Sequence, residues 1–358
     1  MPTVLGLLTI PIPPKVQGKN LAMMLLRGDE MEPSPLYSET YLPRIHFNWS
    51  ELRGLSAKNY HFIDAPKPEL YDISSDPGEI HNLYVDKNAV SSEMRSQLTA
   101  TVRHYTADHE MAQKSTLDPQ LADRLRALGY AAFSAGEESA VSDRQLPDPK
   151  DRIQVYELFS DAMSESQHGL YEQSAEKLNA VLKIEPDSVP AHYILGLNYY
   201  RMHQFPFAIE HLQRTLKLSP EYALAAFNLG LAYARNGELD NAVQSLKRAL
   251  ELDPTNFDAD YNLGAAYLQK KMVPEALAAF RRAVAIAPDF APAHRATGEV
   301  LLFQGQVDDA VTELRRAAEL QPQDPSVHAS LAQALAAKGM NQEAAEEMNR
   351  AQQVQQQP

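Results

Sequence analysis

The chain has 358 residues, a formal net charge of −14 and no cysteine. This length is sufficient for two ordinary domains, and the lack of cysteine excludes disulfides, thiolate zinc sites and cysteine nucleophiles. The acidic balance argues against binding to nucleic acid or anionic lipid, and no apolar run approaches the roughly 20 residues that span a bilayer.

The N-terminal stretch "MPTVLGLLTIPIPP" contains an apolar segment that Pro11 interrupts. It lacks a basic start, and no small-residue cleavage site follows it. We therefore expect the beginning of folded structure rather than a signal peptide, with the cytoplasm as the default compartment.

Residues 1–133 show a mixed pattern that predicts an α+β region. "VLGLLTI" is an apolar helix or strand, and "NYHFIDA" and "ELYDIS" predict two short strands joined through "PKPE". "SDPGEIHNLY" predicts a turn and a helix start, and a second short helix is predicted over "DPQLADRLRALGY". Between them, apolar residues at helical spacing predict a face that packs on the sheet: Val90, Met94, Leu98, Val102 and Tyr105.

Residues 134–151 are small, polar and marked by proline, which predicts a linker. Beyond them, prolines stand at 186, 220, 254, 288 and 322, a constant step of 34 (220 − 186), and glycines at 196, 230, 264 and 298 keep this step. Such a period indicates a repeat array. Each unit contains two helical patterns, and we expect the glycine to let the two helices approach closely, against an alanine of the second helix.

The order Leu-Gly, Tyr, Ala, Phe, Ala, Pro in "LGAAY…EALAAFRRAVAIAP", residues 263–288, resembles the tetratricopeptide repeat. This resemblance covers about residues 155–352. It implies a mostly α fold, with a superhelix of about six helix pairs over residues 152–356. The units are expected near 155–188, 189–222, 223–256, 257–290, 291–324 and 325–356. The first is degenerate, since Ser174 stands where alanine is expected, and the last runs into a polar end suited to capping.

Three segments of the first half resemble the C-terminal part of bacterial sulfatases, in the alkaline-phosphatase-like superfamily. In chain order they are "PTVLGLLTIPIPPKVQGKNLAMMLLRG", "ELYDISSDPGEIHNLY" and "LDPQLADRLRALGY". The resemblance implies that residues 1–133 form a small sulfatase C-terminal-like subdomain in front of the repeats.

The catalytic parts of such sulfatases are missing from the sequence. The family nucleophile is a formylglycine made from Cys or Ser within Cys/Ser-x-Pro-x-Arg, a motif that does not occur here. The resemblance implies that calcium and formylglycine belong only to a full-length relative, so we expect no cofactor, metal ligand or catalytic residue in this chain. Met1 stands immediately before Pro-Thr, inside what is continuous fold in the family, and we expect a gene fragment with an internal start.

The stretch "YLPRIHFNWSELR", residues 41–53, gathers side chains typical of a pocket. One interpretation is a remnant of a substrate rim, formed by Arg44, His46, Trp49 and Arg53. The other is that Trp49 and Phe47 belong to the core while the polar residues pair locally. The histidines and aspartates of this half show no ligand spacing that predicts a metal site.

The repeats offer a second candidate site, because first helices of stacked pairs line a concave face. Positions that packing does not require predict a peptide-binding groove: Tyr193, Arg201, Phe227, Asn228, Arg235, Tyr261, Asn262 and Arg295. An asparagine has one acceptor and two donors, which match a peptide group, although Ile194 and Ala296 limit this ladder to two residues. Alternatively, Tyr193 and Tyr261 pack between helices. The arginines either favour an acidic ligand or pair with surface glutamates.

Two functions are open. The first is a non-catalytic scaffold that binds a peptide or protein in the groove, with no nucleic acid and no membrane span. The second is the C-terminal fragment of a sulfatase-type sulfuric ester hydrolase whose catalytic core is encoded upstream. Under the second, we expect a periplasmic location.

Overall fold

The computed structural model describes residues 35–40, 43, 47, 49–107 and 146–355. They form two compact units: the described residues up to Pro149, apart from Phe47, make the first, and Phe47 and the residues from Lys150 onward make the second. The predicted elements "VLGLLTI" and "DPQLADRLRALGY" lie outside the described residues.

The first unit contains a four-stranded antiparallel sheet in the order β1-β2-β3-β4. The strands are β1 (Leu36–Thr40), β2 (Leu52–Ala57), β3 (Tyr60–Asp64) and β4 (Glu69–Asp72). Strands β3 and β4 confirm the two strands predicted from the sequence, whereas β1 and β2 were not predicted. Lys58, at φ 54°, makes the tight turn between β2 and β3.

One helix, α1 (Asn88–Ala107), packs on this sheet. Met94 and Leu98 are buried against Leu55, Phe62 and Leu70 of the strands. Val90 and Val102 flank the same cluster and are partly buried. Four residues of the predicted apolar face therefore cover the sheet, and the side chain of the fifth, Tyr105, lies outside the described part of the chain.

The polar loops of the first unit are fixed by side-chain caps. Asp76, in the "SDPGE" turn, accepts hydrogen bonds from the backbone N–H groups of Ile80 and His81, both at 2.8 Å. Asp148 is 4% exposed and accepts one from the Lys67 N–H at 2.9 Å. The predicted linker thus ends within folded structure, because a polar residue there satisfies a loop backbone.

The second unit is an array of paired helices. A 3₁₀ turn (Pro149–Arg152) leads into it, and within residues 153–355 it comprises twelve helices: α2 (Ile153–Gln167), α3 (Tyr171–Ile184), α4 (Val189–Arg201), α5 (Phe205–Leu218), α6 (Ala223–Arg235), α7 (Leu239–Leu252), α8 (Phe257–Gln269), α9 (Val273–Ile286), α10 (Ala291–Phe303), α11 (Val307–Leu320), α12 (Pro325–Ala337) and α13 (Asn341–Gln355). From α4 onward every first helix begins 34 residues after the previous one (223 − 189), as the proline spacing predicts. This is the expected tetratricopeptide-type superhelix of six helix pairs.

Packing within a pair centres on the repeated glycine. A Cβ on Gly264 would lie 2.6 Å from Cε1 of Phe280, and one on Gly230 would lie 2.6 Å from Cγ of Leu246. The close partner is therefore the large apolar residue of the second helix. The alanine predicted for this contact contributes its backbone carbonyl, as Ala310 does beside Gly298 at 3.1 Å.

The degenerate first unit has a polar core contact instead. The Ser174 hydroxyl donates to the Ala162 carbonyl at 2.6 Å and accepts from the Asn198 side-chain amide at 2.8 Å. The Ser166 hydroxyl then donates to Asn198 Oδ1 at 2.6 Å. Serine is tolerated at a fully buried position because its hydroxyl is satisfied on both sides.

Candidate peptide-binding face of the repeats

The first helices of successive pairs contact one another, as α4 does with α6 and α10 does with α12. This contact places the first helices on the inner side of the curvature, where a solenoid presents its binding surface. All eight residues predicted for the groove lie on α4, α6, α8 and α10, which are first helices.

Asn228 and Asn262 are held in place by the turn before them. The Asn228 amide donates to the Leu224 carbonyl at 2.8 Å and to the Tyr193 hydroxyl at 3.2 Å. The Asn262 amide donates to the Asp258 carbonyl at 2.7 Å. Within the described part of the chain, neither side-chain oxygen has a hydrogen-bond partner. The two asparagines therefore offer a ligand mainly hydrogen-bond acceptors rather than donors.

The aromatic residues predicted for the groove are partly buried between helices. The Tyr193 ring lies 4.7 Å from that of Tyr222, and the Tyr261 ring lies 5.6 Å from Phe280 and 5.5 Å from Phe290. Phe227 packs against the central core of the array. The three rings therefore pack between helices and are only partly accessible to a ligand.

The three arginines differ in their surroundings. Arg295 lies 3.4 Å from Glu299, which stands one turn later on the same helix. Arg201 and Arg235, at the ends of α4 and α6, are exposed and form no ion pair with any described residue. Two positive charges are therefore available at neighbouring ends of the inner helices.

Two exposed apolar residues of the same helices were missed in the sequence. Leu268 of α8 is 38% exposed and Phe303 of α10 is 79% exposed. Phe303 occupies the repeat position of Arg201 and Arg235 (235 − 201 = 34; 303 − 235 = 68). A comparison of the residues at this repeat position along the array would have identified Phe303. The same comparison shows that the surface changes from basic to apolar along the repeats.

The pocket-like stretch of the first half does not assemble a site among the described residues. Trp49 is 2% exposed and belongs to the core, as the alternative interpretation predicted. Phe47 packs edge-on against Phe159 of α2, with ring centroids 5.3 Å apart. Arg53 lies 3.4 Å from Glu51. Arg44 and His46 fall outside the described residues, and a rim role for this stretch stays a prediction.

Histidines and carboxylates of the first unit contact other side chains of the same unit. His61 Nδ1 lies 2.6 Å from Glu79 Oε1, and Asp72 bonds the Ser74 hydroxyl at 2.6 Å. In the part of the chain that the structure covers, no three ligating side chains cluster as a metal site would need. No helix within those same residues has the length and apolarity to cross a bilayer.

Family models match both halves of the chain. Two tetratricopeptide repeat models match, one over residues 195–257 and 295–358 and another over residues 233–300. The model described as N-sulphoglucosamine sulphohydrolase, C-terminal, matches residues 1–106. No curated protein matches the chain.

Solved structures of similar proteins cover about half of the chain. The protein MamA is 27% identical with a TM-score of 0.43, over 45% of this chain and 94% of its own. The MamA of Desulfovibrio magneticus RS-1 is 23% identical with a TM-score of 0.44, over 47% of this chain and 94% of its own. YrrB, described as a TPR protein with an unusual peptide-binding site, is 20% identical with a TM-score of 0.44, over 51% of this chain and 93% of its own. By its family models, the chain combines tetratricopeptide repeats with a preceding sulphohydrolase C-terminal region.

Proposed function

We propose that the chain is a non-catalytic scaffold whose repeats bind an extended peptide segment of a partner along α4, α6, α8 and α10. The observation that carries the proposal is the pair of asparagines one repeat apart (262 − 228 = 34). Each is fixed by the carbonyl four residues earlier and presents an unpartnered oxygen within the described chain.

The geometry favours contact with peptide N–H groups. A fixed side-chain oxygen accepts from a backbone donor at little entropic cost, because the rotamer is already held. Asn228 uses both of its donor hydrogens internally, whereas Asn262 has one left. We expect Asn262 to bond both the N–H and the C=O of a bound peptide, and Asn228 the N–H alone.

Side-chain preference follows from what flanks the asparagines. Arg201 and Arg235 are exposed charges that favour acidic residues at one end of the peptide. Leu268 and Phe303 favour apolar residues at the other end. The proposed ligand is therefore an extended peptide with an acidic segment and an apolar segment.

The experiment is a positional-scanning peptide library screened against the full chain, followed by titration calorimetry of the best sequence. The variant Asn228→Ala/Asn262→Ala should weaken binding by about 10-fold or more, as expected for two lost hydrogen bonds. Asn241→Ala is the matched control, since Asn241 is exposed on the second helix α7. Equal affinities for the double variant and this control would contradict the proposal.

The sulphohydrolase C-terminal match favours a second candidate, which we infer for residues 1–106 alone. The chain would be the C-terminal part of a sulfatase-type sulfuric ester hydrolase whose catalytic core, which would carry the formylglycine and hold the calcium, is encoded upstream. In that case the repeats would serve the longer enzyme as a docking module.

Genomic sequence distinguishes the candidates. An in-frame extension upstream that encodes Cys/Ser-x-Pro-x-Arg would support the hydrolase, and an upstream stop codon would support the scaffold. Aryl-sulfate turnover by the purified chain itself would contradict both, because each places the reactive centre outside these residues.

A further inference from the structure

An aromatic ring stands at one position of the first helix in each of the first four repeats. These four residues follow the step of 34 (193 − 159 = 34): Phe159, Tyr193, Phe227 and Tyr261. Phe159 is 4% exposed, whereas the other three are partly buried. The surroundings of this ring therefore differ from one repeat to the next.

In two repeats the following repeat supplies a neighbouring ring. The ring centroids of Tyr193 and Tyr222 lie 4.7 Å apart, and those of Tyr261 and Phe290 lie 5.5 Å apart in an edge-on contact. Tyr222 and Phe290 each stand immediately before a first helix, and neither caps that helix with its side chain. The position before a first helix can thus hold a ring in place of a cap.

In the other two repeats the same position holds a cap and no ring. Ser188 and Asn256 accept hydrogen bonds from backbone N–H groups at the starts of α4 and α8, at 3.4 and 2.9 Å. Such a cap stabilises the helix start, but it offers no aromatic surface to the preceding repeat. Phe159 and Phe227 therefore receive no ring from the repeat that follows them.

At Phe159 the neighbouring ring comes from outside the array. The Phe47 ring lies 5.3 Å from that of Phe159 with the two planes at 88°, and 6.2 Å from that of Tyr156 at 78°. Phe47 belongs to the repeat unit by its contacts, although it precedes Phe159 by 112 positions (159 − 47 = 112). An aromatic side chain that is not part of the repeats thus packs on this position of the inner face.

Phe227 is the remaining ring of the four. It packs against the core of the array, stays partly exposed, and has no aromatic partner within the described part of the chain. The next residue is Asn228, whose side-chain oxygen we expect to accept from the ligand backbone. A ring of the ligand is therefore the one aromatic neighbour that Phe227 can gain while Asn228 is engaged.

We propose that the peptide ligand carries an aromatic residue whose ring packs against Phe227, next to the peptide group that Asn228 binds. This inference rests on the proposed inner-face groove and names one residue of its ligand. The contact of Phe47 with Phe159 is the arrangement that the ligand would reproduce one repeat pair further along. An aromatic pair adds about 2- to 10-fold in affinity beyond the area it buries, so an aromatic residue should be preferred over leucine.

The test follows the ring signals of Phe227 in the full chain by NMR, with acetyl-phenylalanine amide and acetyl-leucine amide as probes. We expect saturable shifts with the phenylalanine probe, and about 2- to 10-fold weaker binding of the leucine probe. The Phe159 signals should stay in place, because Phe47 already packs there. In the library screen, the same preference should select Phe, Tyr or Trp at one peptide position.

The decisive variant gives this repeat a ring of its own. Asn256→Phe introduces the aromatic residue that Tyr222 and Phe290 provide elsewhere, and it should abolish the shift of Phe227. Asn256→Ala is the matched control, since it removes the same cap without adding a ring and should leave the shift intact. Circular dichroism melting establishes that each variant is folded, and Asn256→Tyr substitutes for Asn256→Phe if needed.

The titrations separate this inference from the proposed function. The shift of Phe227 should persist in Asn228→Ala/Asn262→Ala, so it is measured even where no peptide binds through the asparagines. Absence of a shift up to about 50 mM of the phenylalanine probe, or equal affinities of the two probes, would overturn the aromatic preference alone. Equal shifts in Asn256→Phe and Asn256→Ala would overturn it as well.

Discussion

The glycine of the first helix sets how closely the two helices of a repeat pair approach. In Gly264→Ala the new methyl group would meet the Phe280 ring at 2.6 Å, and Phe280 is 1% exposed. Alanine gains about 1 kcal/mol of helix propensity, but overpacking a rigid ring costs about 1–3 kcal/mol. We expect net destabilisation of up to about 2 kcal/mol in urea unfolding. Ala278→Gly, at an exposed position of α9, should show propensity loss alone, and a stabilised Gly264→Ala protein would contradict this packing.

The turn between the helices of each pair places one residue in the left-handed region. It is glycine at 169, 237, 305 and 339, but His203 and Lys271 take the same place, with φ 58° and 59°. Lys271→Gly removes the steric cost of a side chain there, which exceeds the entropy that glycine adds to the unfolded chain. We expect stabilisation of about 0.5 kcal/mol by thermal unfolding. Gln304→Gly, at φ −81°, should instead lower the melting temperature, and the same sign for both would refute the explanation.

At the scale of helix pairs, a buried charge joins α8 to α9. Asp260 is fully buried, and Arg282 Nη2 lies 2.8 Å from its Oδ1, although Arg282 is half exposed. Burial outweighs the arginine and raises the pKa of Asp260 from 3.8 to about 6. Since the folded value lies above the unfolded one, this group lowers stability at pH above 6, and the penalty fades as pH falls toward 4.

Arg282→Gln should therefore have an effect that depends on pH. At pH 8 it leaves an uncompensated buried carboxylate, and we expect a loss of about 1–2 kcal/mol. At pH 5 Asp260 is largely protonated, so the loss should be much smaller. Urea unfolding at both pH values measures this, with Arg281→Gln on the same helix as control. A loss that is equal at both pH values would show that Arg282 does not act through Asp260.

The sequence predicts some elements much better than others. The step of 34 predicts the starts of first helices such as Val189 and Ala223, because every repeat packs its two helices in the same way. Strands β1 and β2 escape prediction because "LYSET" and "LRGLSA" show no clean alternation, and β2 contains a glycine. Gly54 is needed there, since a Cβ would lie 2.6 Å from Ser38 Oγ of the paired strand. That requirement is tertiary and leaves no local pattern.

The candidate sites, too, were predictable from the sequence only in part. Repeat phase alone assigns Asn228 and Asn262 to first helices. It does not show that the Tyr193 hydroxyl consumes one donor of Asn228, because that contact joins residues 35 apart.

At the scale of the whole molecule, the two units have very different cores. The sheet unit buries a small cluster around Leu55, Phe62 and Leu70 and leaves Ile80 and Val85 76% and 82% exposed. The repeats share a continuous core from α6 to α13. We expect amide hydrogens of β2 and β3 to exchange faster than those of α8 and α9, since each unit opens with its own free energy. Slower exchange in the sheet would reverse this order of stability.

The proposed function depends on whether the inner helices bind a peptide through their asparagines. The most direct measurement is the set of side-chain amide signals of Asn228 and Asn262, followed by NMR while the best library peptide is added to the full chain. We predict that both signals shift and saturate together with the calorimetric binding curve, while the Asn241 signal stays in place. Binding that leaves the Asn228 and Asn262 signals unmoved would contradict the account.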